Sequence, residues 1–305
     1  MDLSIIIPTK DRAEILNGTL RQALAATQHI AVEIIVVNDS KTSSPDISGF
    51  RDKPIRMIQN AKSGVASARN LGASMALADL ILFLDDDILI SKESINQTLA
   101  EHRAEDEICV NPDWIYPEFL QSRLVENSFG RFLIAYNFVS CKGWYNHPRW
   151  QDQAMFETPG LASFHLSILK KCFQKSGGYD ETFPYAGFED HAFSHALQRA
   201  GIKLLINTKV IVFHNEEDRI ELKNWLQRQV RGSETRKIGV RIGYSELSIH
   251  YSFFKRMILP VLLLIKPLIV WVADTVPNYK WLDIIYFRIV LTLQAVSIYE
   301  GYSKK

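Results

Sequence analysis

The chain has only three cysteines in 305 residues, Cys109, Cys141 and Cys172, and they stand far apart. No disulfide framework follows from such spacing, and reduced structural thiols in a cytosolic compartment are expected. No loop closes on Gly-Lys-Ser/Thr, so a P-loop is excluded. No internal repeat or disordered tract stands out, and a strand pattern begins at Leu3, so no secretory signal peptide is expected. Net charge is scarce as well, at +1. Apolar surface is plentiful: 47% of residues are hydrophobic and 11% aromatic, which excludes a disordered chain and allows one large domain or two small ones.

The near-zero charge hides two parts of opposite sign. Residues 1–218 hold 21 Lys+Arg and 28 Asp+Glu, a net of −7, so residues 219–305 carry +8. A basic, apolar tail suits an anionic surface such as phospholipid head groups, and nucleic acid is not expected as a partner.

In the acidic part, strand and helix alternate. Leu3–Pro8, Glu33–Asn38 and Ile55–Gln59 read as strands; Ile15, Leu16, Leu20, Ala23 and Leu24 follow a helical period, as do Val65, Ala68, Leu71 and Met75 after Gly64. Leu80–Asp87, LILFLDDD, is an apolar run of buried-strand type ending in three consecutive carboxylates. The alternation predicts an α/β fold, a doubly wound and mostly parallel sheet flanked by helices. Ligands bind such sheets at the carboxyl-terminal strand edge, where Asp85, Asp86 and Asp87 lie. Side chains alternate along extended backbone, so Asp85 and Asp87 face one side and Asp86 the other. Three adjacent negative charges require a cation or a network of donors.

Further along, the spacing predicts a helix over about 92–103, a short strand at Ile108–Val110, and an irregular ring-rich stretch over 111–156. Core packing accounts for most of those rings; the others could line an acceptor platform. Regular structure returns near Thr158–His165. A helix follows from Glu189 to Ala200, then a strand at Val210–His214 and an amphipathic helix bearing Leu222, Trp225, Leu226 and Val230. Two regions are expected: 1–218, built on the sheet, and 219–305, a basic, apolar helical extension.

Six segments occur in order: SIIIPTKDR at 4–12, VNDS at 37–40, GVASARNLGA at 64–73, LDDD at 84–87, GGYDE at 177–181 and GFEDHAFSHALQRAG at 187–201. Together they resemble the family 2 glycosyltransferases of the GT-A fold, over about residues 3–215. The resemblance implies an inverting transfer of a sugar from a nucleotide-diphosphate donor to a hydroxyl. It also implies a divalent cation, Mg²⁺ or Mn²⁺, which carboxylate oxygens suit and which offsets charge on the leaving group.

Carried over residue by residue, the pattern makes Asp87 a direct metal ligand, with Asp85 toward the ribose or a metal-bound water. His214, at a strand end, is the candidate third metal ligand. Asp86 is grouped with the nucleotide-sugar contacts but is expected to point away, toward Arg69. Asp39 would accept from the base, although Asn38 stands where the family usually has a first acid, which leaves the base open. Thr9, Asp11 and Arg12 would lie beside the same nucleoside. Arg69 would meet phosphate or buttress the aspartates, since arginine suits bidentate contact with either. Asn70 belongs to the same segment, as a contact or as a fastener of its loop.

An inverting displacement needs a general base, placed by the resemblance in Glu189-Asp190 with Asp190 favoured. His191 and His195 share a helix face without a zincin glutamate and read as structural or acceptor-facing. The QxxRW sequence of processive synthases is missing, which favours single-sugar addition. Arg219–Arg241 carries seven Lys+Arg against two Asp+Glu, and Arg231 in it could reach the diphosphate or a lipid phosphate.

Met257–Ala273 is apolar except for Lys266 but contains Pro260 and Pro267; Trp281–Tyr299 is a second apolar segment. A spanning helix needs ~20 apolar residues, and the prolines and lysine favour interfacial helices instead. Lys255, Arg256, Lys266, Lys280 and Arg288 are available to snorkel. The expected partners are a nucleotide-diphosphate sugar, a saccharide or lipid-linked acceptor and an anionic membrane surface, with the protein cytoplasmic and peripheral on the inner face of the cell membrane. Two other readings stand beside this one: a non-catalytic sugar-nucleotide-binding scaffold, and a sugar-1-phosphate nucleotidyltransferase. The second is disfavoured because no glycine occurs in Thr9-Lys10-Asp11-Arg12.

Overall fold

A computed structural model describes residues 1–145, 150–218 and 220–304. Residues 146–149 of the ring-rich stretch and Arg219 of the basic stretch lie outside the described residues.

The chain opens with β1 (Leu3–Thr9), α1 (Ala13–Ala26), β2 (Val32–Asn38), β3 (Ile55–Gln59), α2 (Val65–Met75) and β4 (Leu80–Leu84). It continues through β5 (Ile88–Leu89), α3 (Lys92–Ala104), β6 (Ile108–Ile115), α4 (Glu118–Glu126), α5 (Ser128–Ala135) and α6 (Cys141–Tyr145). Next come β7 (Met155–Glu157), β8 (His165–Leu169), α7 (Lys170–Ser176), α8 (Glu189–Arg199) and β9 (Lys203–His214). Four helices close it: α9 (Leu222–Arg241), α10 (Phe253–Leu264), α11 (Lys266–Thr275) and α12 (Asp283–Ser303). These elements form two compact units: 1–116, 140–184 and 189–215 make the first, and 117–139, 185–188 and 216–305 the second.

The first unit is built on one sheet in the order β3-β2-β1-β4-β8-β6-β9-β5, with β7 on β9. Its first four strands are parallel, and β8 enters antiparallel beside β4 at Leu84↔His165. β6 and β9 run parallel to each other. Every residue of β1, β2 and β4 is buried, as expected where helices cover both faces. Gly72 lets α2 lie directly on β1, because a Cβ there would collide with Ile6.

Two strands are longer than the expected spans. The short strand at 108–110 continues to Ile115, and 210–214 is the end of the long β9. A register shift at Pro112/Asp113 breaks that pair in the middle, and a proline with polar neighbours masks a strand in any apolar pattern. The regular structure expected to return near 158–165 resumes as β8 at His165–Leu169. The stretch 111–156 is also more regular than its composition indicates, since it includes α4, α5 and α6.

In the second unit α12 packs along α9, with Val290, Leu293, Val296 and Ser297 fully buried. Ser233 Oγ donates to the Ile298 carbonyl at 2.7 Å, and Gly301 permits close approach to the Val230 backbone. Arg131 joins α5 to α12 through two hydrogen bonds of 2.7 Å to Asp283. α10 and α11 are bent by 71°. Pro267 favours a new helix start there, since proline suits the first turn. Among the described residues one helix, Lys280–Ser303, is long and apolar enough to cross a membrane, and α10 with α11 would pass the same test as a pair.

Candidate active site

The ends of β1, β2 and β4 bring the first motifs together at one edge of the sheet. Asp86 and Asp87 turn back into the protein and are 5% and 1% exposed. Arg12, at the start of α1, meets both: its Nη1 pairs with Asp86 and lies 2.8 Å from Asp87 Oδ2. Thr9 Oγ1 donates to Asp86 Oδ2 at 2.7 Å, and Thr19 Oγ1 to the Asp86 carbonyl at 2.7 Å. Asp86 thus faces away from Asp85, but its partner is Arg12 and not Arg69. The charge problem of the triplet is solved by two arginines, one on each side.

Arg69 is the second. It leaves α2 nearly buried and spreads its guanidinium over three acids: Asp85 at 3.0 Å, Glu189 at 3.0 Å and Asp190 at 3.5 Å. The Tyr179 ring lies 5.3 Å from its centre. Burial works to lower the Arg69 pKa, yet Asp190 and Asp85, then Tyr179 and Glu189, push it up. Burial also pushes the Asp85 carboxyl up; Arg69 pulls it down, and Asp87 and Asp190 raise it again. Asp85 is the open member of the triplet, its side chain 35% exposed.

At the start of α8 the two acids part company. Glu189 is 1% exposed and held by Arg69, whereas the Asp190 side chain is 20% exposed. Asp190 accepts from the Ser163 amide at 3.1 Å and from the Ser163 hydroxyl. Ser163 Oγ also meets Tyr179 Oη at 2.6 Å, so the GGYDE segment and the loop before β8 both fix this carboxylate.

Asp39, beyond β2, accepts from Asn60 Nδ2 at 2.6 Å and the Gly64 amide at 3.0 Å through Oδ1; its Oδ2 lies 3.6 Å from Lys10. Gly64 holds φ 117°, a conformation that a side chain would strain. The Asn38 amide is occupied by the Ser43 carbonyl and Gln59. Asp11 sits at φ 56° and accepts from Ser43 Oγ at 2.6 Å; hydrogen bonds from Ser40 and Ser43 hold its pKa below the usual range. Asn70 exchanges hydrogen bonds of 2.9 Å with the Tyr179 amide and carbonyl and donates to Glu181, so it fastens the GGYDE loop.

The motifs converge as a set, and the family model for glycosyl transferase family 2 matches residues 4–173. The chain belongs to glycosyl transferase family 2. Hyaluronan synthase of Pasteurella multocida is 28% identical over 238 residues, 70% of this chain and 24% of that protein. Validoxylamine A glucosyltransferase of Streptomyces hygroscopicus subsp. jinggangensis is 28% identical over 228 residues, 67% of this chain and 53% of the other. The chain therefore spans a quarter to a half of these relatives. Two solved structures share the fold: GalNAc-T7 with UDP, GalNAc and Mn²⁺ (TM-score 0.53, 17% identity, 70% of this chain and 42% of that one) and S. aureus TarS 1–349 (TM-score 0.52, 12% identity, 99% and 91%). The expected GT-A type sheet is thereby established.

Within this family 2 chain, His214 lies beside the triplet. β9 ends antiparallel to β5, placing His214 opposite Ile88, and His214 Nε2 stands 3.3 Å from Asp87 Oδ1. Neighbouring ligands of an octahedral ion at 2.0–2.1 Å are about 3 Å apart, so the two atoms fit one divalent cation. Trp114 and Trp144 meet the His214 ring edge-on, at 4.8 and 5.4 Å between centroids, and fix its plane. Asp85 contributes one oxygen to Arg69, and its second accepts no hydrogen bond among the described residues.

His191 and His195 meet ring to edge at 4.5 Å on α8. Ser163, Asn60 and Thr19 take direct part in the site but carry no motif signal of their own, and Tyr179 is marked only as part of the GGYDE segment. Only contact across 16 to 109 residues of chain reveals them.

Proposed function

We propose that this protein is an inverting, metal-dependent glycosyltransferase that moves a sugar from a nucleotide-diphosphate donor to a hydroxyl of a lipid-linked saccharide or surface glycan. The observation that carries the reading is the split of the acids around Arg69. Asp85 is open on one side of it and Asp190 on the other, while Glu189 is sealed beneath.

Asp39 Oδ2, its other oxygen already occupied, is left to accept from the base of the donor. Asp87 and His214 would hold Mg²⁺ or Mn²⁺, with Asp85 beside them; when bound, the ion offsets the charge that develops on the departing nucleoside diphosphate. The mixed oxygen and nitrogen donor set suits Mn²⁺ better than Mg²⁺. Arg12 fixes Asp86 and Asp87, so the edge of β4 needs no reorganisation when donor arrives. Asp190 takes the proton of the acceptor hydroxyl as that oxygen bonds to the anomeric carbon and the bond to the diphosphate breaks on the opposite face. Glu189 is a positioning residue, since it touches Arg69 and not solvent.

The helical unit supports a peripheral membrane location. Phe253, Phe254, Leu264, Trp281 and Ile284 are 70–83% exposed. Residues 219–305 carry +8, which matches an anionic bilayer in sign. α12 buries its other side on α9, so an interfacial position accounts for the exposed side chains better than a span.

A thermal-shift screen of nucleoside diphosphates with and without Mn²⁺, followed by donor hydrolysis and transfer assays, tests the reading. Metal-dependent stabilisation by one diphosphate and release from its sugar conjugate is expected. Absence of any nucleotide effect would exclude it.

A further inference from the structure

The helical unit contains an open cavity of about 380 Å³ among α9, α11 and α12 that the site above does not use. Four cations line it: Lys223 and Arg231 from α9, Lys266 from α11 and Lys304 just beyond α12. Its apolar wall is Leu226, Val230 and Val270, and Gln227 and Glu300 complete it. Three of the cations are already compensated. Lys266 lies 2.7 Å from Glu300, Lys223 lies 3.5 Å from Asp274, and Lys304 pairs with Glu234. Arg231 makes no ion pair or side-chain hydrogen bond among the described residues.

This arrangement gives Lys266 a role other than the snorkelling expected of it. Lys266 is the single charge within the apolar Met257–Ala273, and an interfacial helix would let it reach outward to water. It turns inward onto Glu300 instead. Four basic side chains therefore converge on a cavity rather than coat a face, and of these four only Arg231 has no ion-pair partner among the described residues.

A ligand that fits must bring an anionic group for Arg231, hydroxyls for Gln227 and the Glu300 carboxylate, and an apolar remainder. A bare phosphate satisfies only the first condition, and Glu300 would repel it elsewhere in the cavity. We propose that the cavity is a head-group site for a phospholipid whose phosphate carries a polyol, with Arg231 as the planar fork on the phosphate oxygens. The inference rests on the membrane-docking reading above. It makes that docking selective for a head group and not only for charge.

Flotation of the full chain with three kinds of vesicle tests it: phosphatidylcholine alone, and phosphatidylcholine mixed with phosphatidylglycerol or phosphatidylserine at equal charge. Arg231→Gln is compared with Lys255→Gln, an equal charge change on α10 outside the cavity. Wild type should prefer phosphatidylglycerol. Arg231→Gln should weaken that binding about tenfold or more, as for loss of a charge-assisted pair. Lys255→Gln should cost about fivefold or less, the effect of one charge near the surface. Soluble glycerol 1-phosphate should compete with wild type and not with Arg231→Gln. Equal losses in both variants without competition would overturn the head-group site and leave membrane docking intact. Competition by inorganic phosphate as strong as by glycerol phosphate, without lipid preference, would make it a free-phosphate site. Failure of wild type to bind any vesicle would remove the docking reading itself.

Discussion

Arg69 Nη1 and Glu189 Oε1 meet at 3.0 Å with the two side chains 3% and 1% exposed, a sealed ion pair joining α2 to the start of α8. The same guanidinium reaches Asp85 at 3.0 Å and Asp190 at 3.5 Å. It therefore sets the separation between the carboxylate at the end of β4 and the carboxylate that opens α8.

Replacing Arg69 by Met is expected to lower stability by about 3–5 kcal/mol, because it breaks a buried ion pair and takes the Arg69 charge away from the sealed Glu189 carboxylate. Arg69→Met combined with Glu189→Gln should recover part of that loss, as measured by denaturant unfolding. Arg69→Lys keeps the charge but loses the fork, so it should fold and still lose transfer activity. Full activity in Arg69→Lys would show that the fork geometry is irrelevant.

Asp190→Asn should reduce kcat by roughly 10²–10⁴, the usual contribution of a general base, with donor affinity unchanged. Ser163→Ala removes the hydroxyl that touches both Asp190 and Tyr179. It should shift the pH profile of kcat and leave the donor dissociation constant alone. Unchanged turnover in Asp190→Asn would reassign the base.

The sheet was legible in the sequence because β1, β2 and β4 are buried on both faces and read as unbroken apolar runs. β6 was cut short in that reading by Asn111, Pro112 and Asp113, a proline between two polar residues at a register shift. The six motifs gave the position of the site. Its internal wiring was not legible: whether Asp86 meets Arg12 or Arg69 depends on how α1 and α2 sit over the sheet, and neither residue type nor spacing encodes that. Ser163 could not be found by pattern, since a lone serine before a strand acquires its role only when Tyr179 and Asp190 arrive from elsewhere in the chain.

Asp87→Asn and His214→Ala should each abolish the melting-temperature gain that Mn²⁺ gives in the presence of nucleoside diphosphate. Asp86→Asn should instead lower the melting temperature without metal, because Asp86 is bonded to Thr9 and Arg12 inside the protein. Differential scanning fluorimetry across a Mn²⁺ titration separates the two effects. A metal response retained in both Asp87→Asn and His214→Ala would place the ion elsewhere.

Two buried histidines make stability depend on pH away from the proposed chemistry. His102 bonds to Ser167 Oγ at 2.9 Å, and burial lowers its pKa from 6.5 to about 4; burial lowers that of His165 from 6.5 to about 4 as well. Between these limits the unfolded chain binds more protons than the folded one, so stability rises with pH through the window. It is complete above about pH 6.5 and is lost progressively as pH falls toward 4. Each group contributes roughly 3 kcal/mol of this loss at the acid end. Glu101, whose pKa burial raises, works in the opposite sense and moderates the slope. In His102→Gln one of the two titrations is gone, so its unfolding free energy should lie below wild type at pH 7 and converge on it toward pH 4. Parallel curves for the two proteins across that range would show that His102 does not stay neutral in the fold.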